Sequence, residues 1–282
     1  MSHFSIAEAR ALAVGPEVDL AAIDPASTPG ISGSSKDIEK ATAKIEDEVA
    51  DLQELLYANK RAGNDPGNVL IVLQGMDTSG KGGAVKHTLA GLDPQGIHIA
   101  SFGVPTEEEK SHDFLWRVEK ALPEAGVVGI FDRSHYEDVL VHRVHQLSSA
   151  EEIERRYQAI VDFEQRLVES GTRIIKVMLH ISKEFQKENL IERLENPEKH
   201  WKYNPGDVNE RQLWDDYQTA YEIAIQRTTT DQAPWYVVPS DNKPYARMVV
   251  KYLLLDALRS MDLHWPEADF DVAAELERVR NS

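Results

Sequence analysis

Residues 69–83 read VLIVLQGMDTSGKGG, and this stretch decides the fold. Its first part, Val69–Gln74, is an apolar run rich in β-branched residues, which is typical of a buried strand. Its second part, Gly75–Lys81, has the spacing G-x-x-x-x-G-K, and a helical pattern begins near Gly82. A glycine-rich turn between a strand and a helix lets consecutive backbone N–H groups point at phosphate oxygens, assisted by the helix dipole. The stretch therefore predicts a phosphate-binding loop rather than a turn without a ligand.

Two side chains of this loop suggest its chemistry. Lys81 is placed to reach the phosphate that is transferred. The next residue is Gly82, where such loops normally have Ser or Thr as a magnesium ligand. Asp77 lies inside the loop, where bound phosphates would repel it unless a cation lay between them. We predict that Asp77 is a metal ligand, the alternative being a cap that bonds to its own backbone. The other loop residues predicted to bind phosphate are Gly75, Met76, Thr78, Ser79, Gly80, Gly82 and Gly83.

Apolar runs and helical patterns alternate along the rest of the chain. The five predicted strands are Val69–Leu73, Ile97–Phe102, Val127–Phe131, Ile174–Leu179 and Trp235–Val238. The helical patterns between and after them are Gly82–Gly91, Glu107–Leu122, Glu137–Gln146, Ala150–Ser170, Lys183–Leu194, Asn209–Thr229 and Lys243–Met261. This alternation favours βαβ units, a parallel sheet, and helices on both faces. We therefore predict an α/β P-loop kinase fold of thymidylate-kinase type: a three-layer sandwich with a five-stranded parallel sheet and a helical lid.

The N-terminal segment reads differently from the rest. Residues 1–35 are rich in Pro, Gly and Ser, so we predict an irregular or partly disordered arm with one short helical turn near Ile6–Val14. A single amphipathic helix is expected from about Lys36 to Gly63. Residues 36–282 are then expected to form one phosphotransferase domain.

The third predicted strand ends in Asp132-Arg133, at the edge of the sheet where ligands bind. An acidic residue in this place binds magnesium directly or through water in P-loop enzymes, and the adjacent arginine can reach the same phosphates. The alternative for Asp132 is a helix cap. His135, His142 and His145 follow, but no carboxylate completes a convincing metal site with them.

A helical hairpin at about residues 183–211 is interrupted by the turn-rich loop Asn196–Asp207. A hairpin late in the chain of a P-loop kinase closes over the phosphates and excludes water. We predict that this hairpin is a lid, the alternative being an exposed surface hairpin.

Composition limits the partners. Among 282 residues, 31 are basic and 48 acidic, a formal charge of −17, which argues against nucleic acid or an anionic membrane. A local cluster of cations can still bind an anionic substrate, because exposed charges are screened over about 8 Å. The chain has no cysteine, so disulfides, thiolate metal sites and a cysteine nucleophile are excluded. No run suits a membrane span or a secretory signal, and a cytoplasmic protein is expected.

Several separate blocks of the sequence resemble the polyphosphate kinase 2 family. The blocks are residues 74–83 (QGMDTSGKGG), 129–138 (GIFDRSHYED), 196–202 (NPEKHWK), 214–221 (WDDYQTAY), 233–239 (APWYVVP) and 241–247 (DNKPYAR). The resemblance extends over about residues 37–263. It implies phosphoryl transfer, with magnesium, between inorganic polyphosphate and nucleoside mono- or diphosphates, and a homodimer or homotetramer.

The resemblance also implies roles for individual residues. The catalytic set is Asp77, Lys81, Asp132, Arg133 and Arg193, with two Mg²⁺ ions held through Asp77 and Asp132. Lys199 and Lys202 are expected to bind phosphate from the lid, and Arg117 and Glu137 to bind the nucleotide. The form Ser-His-Tyr-Glu-Asp at residues 134–138 resembles the subgroup that accepts both mono- and diphosphates.

Two other functions remain compatible with the motifs. One is an ATP-dependent nucleoside or nucleotide kinase of thymidylate-kinase type, and the other is a nucleotide-binding switch without turnover. The preferred direction, base specificity and polyphosphate chain length are outside what the sequence indicates.

Overall fold

The structure is a computed structural model that describes residues 4–282. Its strands are β1 (Ala13–Val14), β2 (Asn68–Gln74), β3 (Ile97–Ser101), β4 (Val128–Asp132), β5 (Thr172–His180) and β6 (Trp235–Pro239). They form one sheet in the order β1-β6-β5-β2-β4-β3, in which only β1 is antiparallel to its neighbour among the described strands. The five predicted strands are confirmed, and the α/β class with them.

The helices are α1 (Ile6–Arg10), α2 (Ser35–Ala43), α3 (Glu46–Arg61), α4 (Lys81–Thr88), α5 (Glu107–Lys110), α6 (Trp116–Lys120), α7 (Glu137–Val144), α8 (Ala150–Glu169), α9 (Lys183–Glu195), α10 (Gly206–Gln212), α11 (Trp214–Thr228), α12 (Lys243–Arg259) and α13 (Val272–Arg280). Short 3₁₀ helices lie at Leu20–Ala22, Pro94–Gly96 and Pro197–Lys202. In the described part of the chain, no helix has the length and apolar character that crossing a membrane requires.

The alternation of side chains along β2 divides the core between the two faces of the sheet. Val69, Ile71 and Leu73 point to one face, where they pack with α2, α3, α4 and α12. Leu70 and Val72 point to the other face, where α7, α8 and α11 lie. From Val69 to Gln74 each side chain of this central strand is almost fully buried, which explains why β2 reads as a continuous apolar run.

The prediction of five strands is wrong by one, because the N-terminal arm adds β1. Ala13 and Val14 pair antiparallel with Tyr236 and Trp235, and the arm thereby covers the edge of β6. Two residues are too few for a strand pattern to be visible in the sequence.

The rest of the arm packs against α12. Phe4 is 4% exposed and lies edge-on to Tyr245 and Tyr252, and the Tyr245 hydroxyl donates to the carbonyl of Pro29 at 2.9 Å. The expected helical turn corresponds to α1. Met1–His3 lie outside the described residues, and the division into an arm and a domain at residue 35 stays a prediction.

Three predicted helices are each divided in two. The helix expected from 36 to 63 is α2 followed by α3, and the bend lets Ile38 of α2 and Val49 of α3 enter the same core. The pattern 107–122 breaks after α5, where the Asp113 side chain accepts from the N–H of Leu115. The pattern 209–229 comprises the end of α10 and all of α11, with Leu213 between them.

Candidate active site

The phosphate loop follows β2 at the centre of the sheet, between β4 and β5. Gly75 has φ +150°, and a Cβ atom there would lie 2.7 Å from the carbonyl oxygen of Leu179. Gly80 has φ +97° and caps α4. Both positions require glycine, because a side chain would clash at the first and be strained at the second. The Gly75 N–H donates to the Tyr221 hydroxyl at 3.1 Å, which fixes the start of the loop.

Lys81 lies folded against this loop. Its Nζ donates to the carbonyl oxygen of Gly75 at 2.7 Å and contacts that of Met76 at 3.3 Å. Burial lowers the pKa of Lys81, and the charge of Asp77 opposes this shift. A partly buried ammonium whose hydrogen bonds go to neutral carbonyls gains from the arrival of an anion. This geometry fits the predicted contact with a phosphate.

Two hydroxyls of the loop point to a ligand. Thr78 Oγ1 and Ser79 Oγ are buried and have no hydrogen-bond partner within residues 4–282. Buried polar atoms are nearly always bonded, so a pair of orphans side by side indicates groups that a substrate oxygen would satisfy. Thr78 also has φ +65°, a strained conformation of the kind that functional loops retain. Both residues belong to the predicted phosphate-binding set.

The end of β4 brings Asp132 and Arg133 beside the loop. Leu73 and Asp132 are paired in register, and the Arg133 N–H donates to the Leu73 carbonyl at 3.1 Å. Arg133 has φ +65°, and its guanidinium donates to Asp77 Oδ1 at 2.9 Å. Asp77 therefore has a cation partner from this chain at one of its two carboxylate oxygens. The metal role of Asp77 and Asp132 stays a prediction.

A pocket lies between the loop and α7. Its lining residues are Gly75, Met76, Asp77, Arg133, Glu137, Val141, Gln186, Glu210, Tyr217 and Tyr221. Burial raises the pKa of Glu137, while the charges of Arg133 and Lys81 oppose this shift. Burial and the bond to Glu210 likewise raise the pKa of Tyr217. The pocket thus has one cationic side and one acidic, aromatic side.

Arg117 does not line this pocket. It is 9% exposed, donates to the Gly103 carbonyl at 2.9 Å, and pairs with Asp138 at 3.4 Å. Its guanidinium also lies 5.5 Å from the ring of Phe102. These contacts occupy Arg117 within the fold, and its nucleotide role stays a prediction.

The predicted lid consists of α9, the 3₁₀ helix Pro197–Lys202 and α10, and its three predicted phosphate-binding cations contact groups within it. Arg193 donates to the carbonyl of Lys202 at 2.9 Å and to Asp207 at 3.2 Å. Lys199 pairs with Glu192, and Lys202 lies 5.0 Å over the ring of the exposed Trp201. The structure therefore does not bring Lys199 or Lys202 to the loop hydroxyls.

Asp207 lies at the junction of lid and loop. Burial raises its pKa, and the nearby charge of Asp77 raises it further, while Arg193 opposes the shift. Because Arg193 pairs with Asp207, it lies near the phosphate loop. This position fits the predicted catalytic role of Arg193 better than the positions of Lys199 and Lys202 fit their predicted binding of phosphate.

A family model described as Polyphosphate kinase 2 matches residues 33–266. The chain belongs to the polyphosphate kinase 2 family. It is therefore an enzyme of the phosphotransferase class, and the resemblance drawn from the sequence blocks is confirmed. An AMP/ADP-polyphosphate phosphotransferase of Meiothermus ruber is 43% identical over 89% of this chain and 92% of the relative. An ADP-polyphosphate phosphotransferase of Rhodopseudomonas palustris is 40% identical over 82% of this chain and 83% of the relative.

A solved structure of the family supports the same fold. The crystal structure of polyphosphate kinase 2 from Arthrobacter aurescens TC1 is 55% identical and superposes with a TM-score of 0.95 over 100% of this chain and 99% of that one. The P-loop kinase class predicted from the sequence agrees with this match.

Two residues that contact the phosphate loop, Gln186 and Asn189, are not predicted from the sequence. Gln186 Nε2 donates to the Asp77 carbonyl at 3.1 Å, and Asn189 Nδ2 to the Thr78 carbonyl at 3.3 Å, so α9 binds the loop directly. Both amides are among the buried polar side chains. The only sequence signal is their spacing of three, which places two amides on one face of a helix.

A buried polar network lies behind the strand end. Lys176 and Glu164 are 0% and 4% exposed and pair at 2.6 Å. The Tyr136 hydroxyl donates to Glu164 at 2.7 Å, and Lys176 donates to the Thr228 carbonyl at 2.7 Å. Although burial opposes its charge, Lys176 and further contacts lower the pKa of Glu164. Tyr136 immediately precedes Glu137, so the network fixes the turn that follows Asp132.

Proposed function

We propose that this protein transfers a phosphoryl group between inorganic polyphosphate and nucleoside mono- and diphosphates, converting AMP to ADP and ADP to ATP. The observation that bears most weight is the 43% identity to the AMP/ADP-polyphosphate phosphotransferase of Meiothermus ruber, over 92% of that relative. The loop with its partly buried lysine, its two hydroxyls without hydrogen-bond partners among residues 4–282, and its neighbouring arginine supports the same reaction.

Magnesium fits the residues present. Mg²⁺ prefers oxygen ligands and is held in phosphotransferases by one or two carboxylates together with substrate phosphates. No group of three or more metal-ligating side chains occurs among residues 4–282, so a cage made wholly of protein is not expected there. Asp77 and Asp132 are the carboxylates that would hold the two proposed ions, which would neutralise charge between the phosphates.

The transfer is proposed to be direct. An oxygen of the acceptor's terminal phosphate attacks the terminal phosphorus of polyphosphate, a P–O bond forms, and the bond to the shortened chain breaks. Lys81, Arg133 and Arg193 offset the negative charge on the transferring group. Catalysis then consists of positioning and electrostatics, without a covalent enzyme intermediate.

The acceptor is proposed to bind in the pocket beside Glu137. The two relatives differ in name, one accepting AMP and ADP and the other ADP. The form Ser-His-Tyr-Glu-Asp at residues 134–138 favours the first. Glu137, half-buried in this pocket, is the proposed nucleotide-selecting residue.

The test supplies AMP or ADP separately, with magnesium and with polyphosphate as the sole phosphoryl donor. We expect ADP from the first mixture and ATP from the second. If product formed only when ATP was supplied as the donor, the result would support an ATP-dependent nucleotide kinase instead. Binding of nucleotide without turnover with any donor would support a switch.

We further propose a cytoplasmic homodimer or homotetramer that binds neither nucleic acid nor membranes. The charge of −17 supports this lack of affinity for polyanions outside the site. Light scattering coupled to size-exclusion chromatography measures the oligomeric state.

A further inference from the structure

A buried amide lies between the phosphate loop and the pocket that contains Glu137. Gln74 ends β2 and immediately precedes Gly75, the first residue of the loop. It is 0% exposed and follows the buried apolar run Val69–Leu73. Because side chains alternate along a strand, Gln74 points to the same face of the sheet as Val72, where α7 and α11 lie. The core on the side of the pocket therefore includes a polar side chain that packing alone does not require.

The amide of Gln74 binds the turn that follows β4. Its Nε2 donates to Ser134 Oγ at 3.1 Å, and the same oxygen accepts from the Tyr136 backbone N–H at 3.2 Å. Ser134 is itself 0% exposed. This turn leads from Asp132 to Glu137, the first residue of α7. Gln74 therefore connects the end of β2 to the start of the helix that presents Glu137.

The same amide also faces the Glu137 side chain. Burial raises the pKa of Glu137, and hydrogen bonding from Gln74 is among the contacts that oppose the rise. A primary amide nitrogen has two N–H groups, so one can bind Ser134 while the other binds the carboxylate. Gln74 thus acts on Glu137 in two ways, directly and through the turn.

The other end of the Gln74 amide is unsatisfied. Its Oε1 is buried and has no hydrogen-bond partner within residues 4–282. A buried carbonyl without a partner lowers the stability of the folded state. An apolar side chain of similar length would fill the same space without this cost. The position of the N–H groups, rather than stability, is therefore what an amide at this place provides.

Gln53 shows how a glutamine with a purely structural role is bound in this fold. It is also 0% exposed, but both ends of its amide are satisfied. Its Nε2 donates to the Asp93 carbonyl at 3.2 Å, and its Oε1 accepts from the Asp93 N–H at 2.9 Å. These bonds join α3 to the segment before β3, at the opposite end of the strands from the phosphate loop. Gln53 is therefore a matched control for Gln74.

We propose that Gln74 is a positioning residue for the acceptor nucleotide, which holds the carboxylate of Glu137 in one orientation in the pocket. This inference rests on the proposed function, in which the acceptor binds beside Glu137. A glutamate side chain has several rotatable bonds, and fixing them before the ligand arrives reduces the entropy that binding costs. Gln74 is then expected to strengthen nucleotide binding only through Glu137, and to leave binding of polyphosphate unchanged.

The test compares Gln74→Met, Glu137→Ala, the double variant and the control Gln53→Met. Methionine has a length close to that of glutamine and lacks the amide. Dissociation constants of AMP and ADP are measured by isothermal titration calorimetry, with magnesium and without a donor. KM for polyphosphate is measured at saturating ADP, and the fold is checked by circular dichroism and Tm. Gln74→Asn, which withdraws the amide by one methylene, is measured alongside in case the Met variant does not fold.

Loss of the amide is expected to raise Kd for AMP and for ADP about 10-fold in Gln74→Met, with KM for polyphosphate within about 2-fold. Gln74→Asn is expected to show the same separation. In the Glu137→Ala background, Gln74→Met is expected to change Kd by less than about 2-fold, because no carboxylate is left to hold. Gln53→Met is expected to lower Tm and leave Kd unchanged, because its bonds lie away from the site.

Three results overturn the inference. Wild-type Kd values in folded Gln74→Met and Gln74→Asn would remove Gln74 from nucleotide binding. An equal rise in KM for polyphosphate would mean that the change distorts the phosphate loop. A 10-fold rise in Kd that persists without the Glu137 carboxylate would mean that Gln74 acts elsewhere. Lack of turnover by the wild type with any polyphosphate, with the effects on Kd intact, would instead contradict the proposed function.

Discussion

The ion pair between Lys176 and Glu164 gives a prediction that the structure makes quantitative. In Lys176→Met the ammonium is lost, and with it three hydrogen bonds, to Glu164, the Thr228 carbonyl and the Tyr136 hydroxyl. The Glu164 side chain is 4% exposed, and among residues 4–282 it keeps the Tyr136 hydroxyl and His135 as partners. Removing one partner of a buried pair costs about 3–5 kcal/mol, because the other charge is left uncompensated.

The loss is expected to depend on pH. In the wild type the pKa of Glu164 is lowered, so its contribution is present above the unfolded pKa and is lost as pH falls. In Lys176→Met burial is no longer offset by the ammonium, and the pKa of Glu164 is raised. The variant then loses stability as pH rises through that pKa. The difference between the two proteins is therefore larger at pH 8 than at pH 5.

Urea unfolding followed by Trp fluorescence at these two pH values measures the effect. Lys110→Met, which removes an exposed pair with Glu107, is the control, and its loss is expected to be below about 1 kcal/mol. The double variant Glu164→Gln, Lys176→Met has no charge left at this ion pair and is expected to recover much of the lost free energy of unfolding. A loss below about 1 kcal/mol in Lys176→Met, or one that does not change with pH, would refute the reasoning.

Three further predictions concern the loop and its pocket. Tyr221→Phe removes the acceptor of the Gly75 N–H and is expected to cost about 1–3 kcal/mol in urea unfolding; a loss near zero would mean that water replaces the hydroxyl. Gly75→Ala places a Cβ 2.7 Å from a backbone carbonyl, so we expect a lower Tm and about 10-fold lower turnover, and wild-type values would contradict the loop geometry. Burial raises the pKa of Glu137, so the wild type loses stability as pH rises through that pKa, whereas Glu137→Gln does not. The variant's gain in Tm is therefore expected at pH 8 and not at pH 4, and a gain at both would assign it to another cause.

The sequence predicted the central sheet well because its signals are local. Val69–Gln74 is apolar throughout, since β2 is buried on both faces, and the glycine spacing of the loop follows from its backbone angles. The end of β4 at Asp132 is predictable from the sequence for the same reason, because the buried apolar run before it is a local signal. Strand β1 was not, because two residues owe their conformation to pairing with β6 rather than to their own pattern.

The candidate site was predictable where a motif defines it and not where tertiary contacts do. Asp77, Lys81 and Arg133 follow from spacing along single elements, and the structure brings them together. Gln186 and Asn189 contact the loop from α9, more than a hundred residues further along the chain, and no local pattern reports such a contact.

The central claim is that the loop transfers phosphate from polyphosphate to a nucleotide with the help of Asp77. The most direct measurement is ATP formation from ADP and polyphosphate, with no other donor, by the wild type and by Asp77→Asn of verified fold. We expect turnover by the wild type and a turnover rate lower by a factor of about 10²–10³ in the variant. Turnover by Asp77→Asn at the wild-type rate would contradict it.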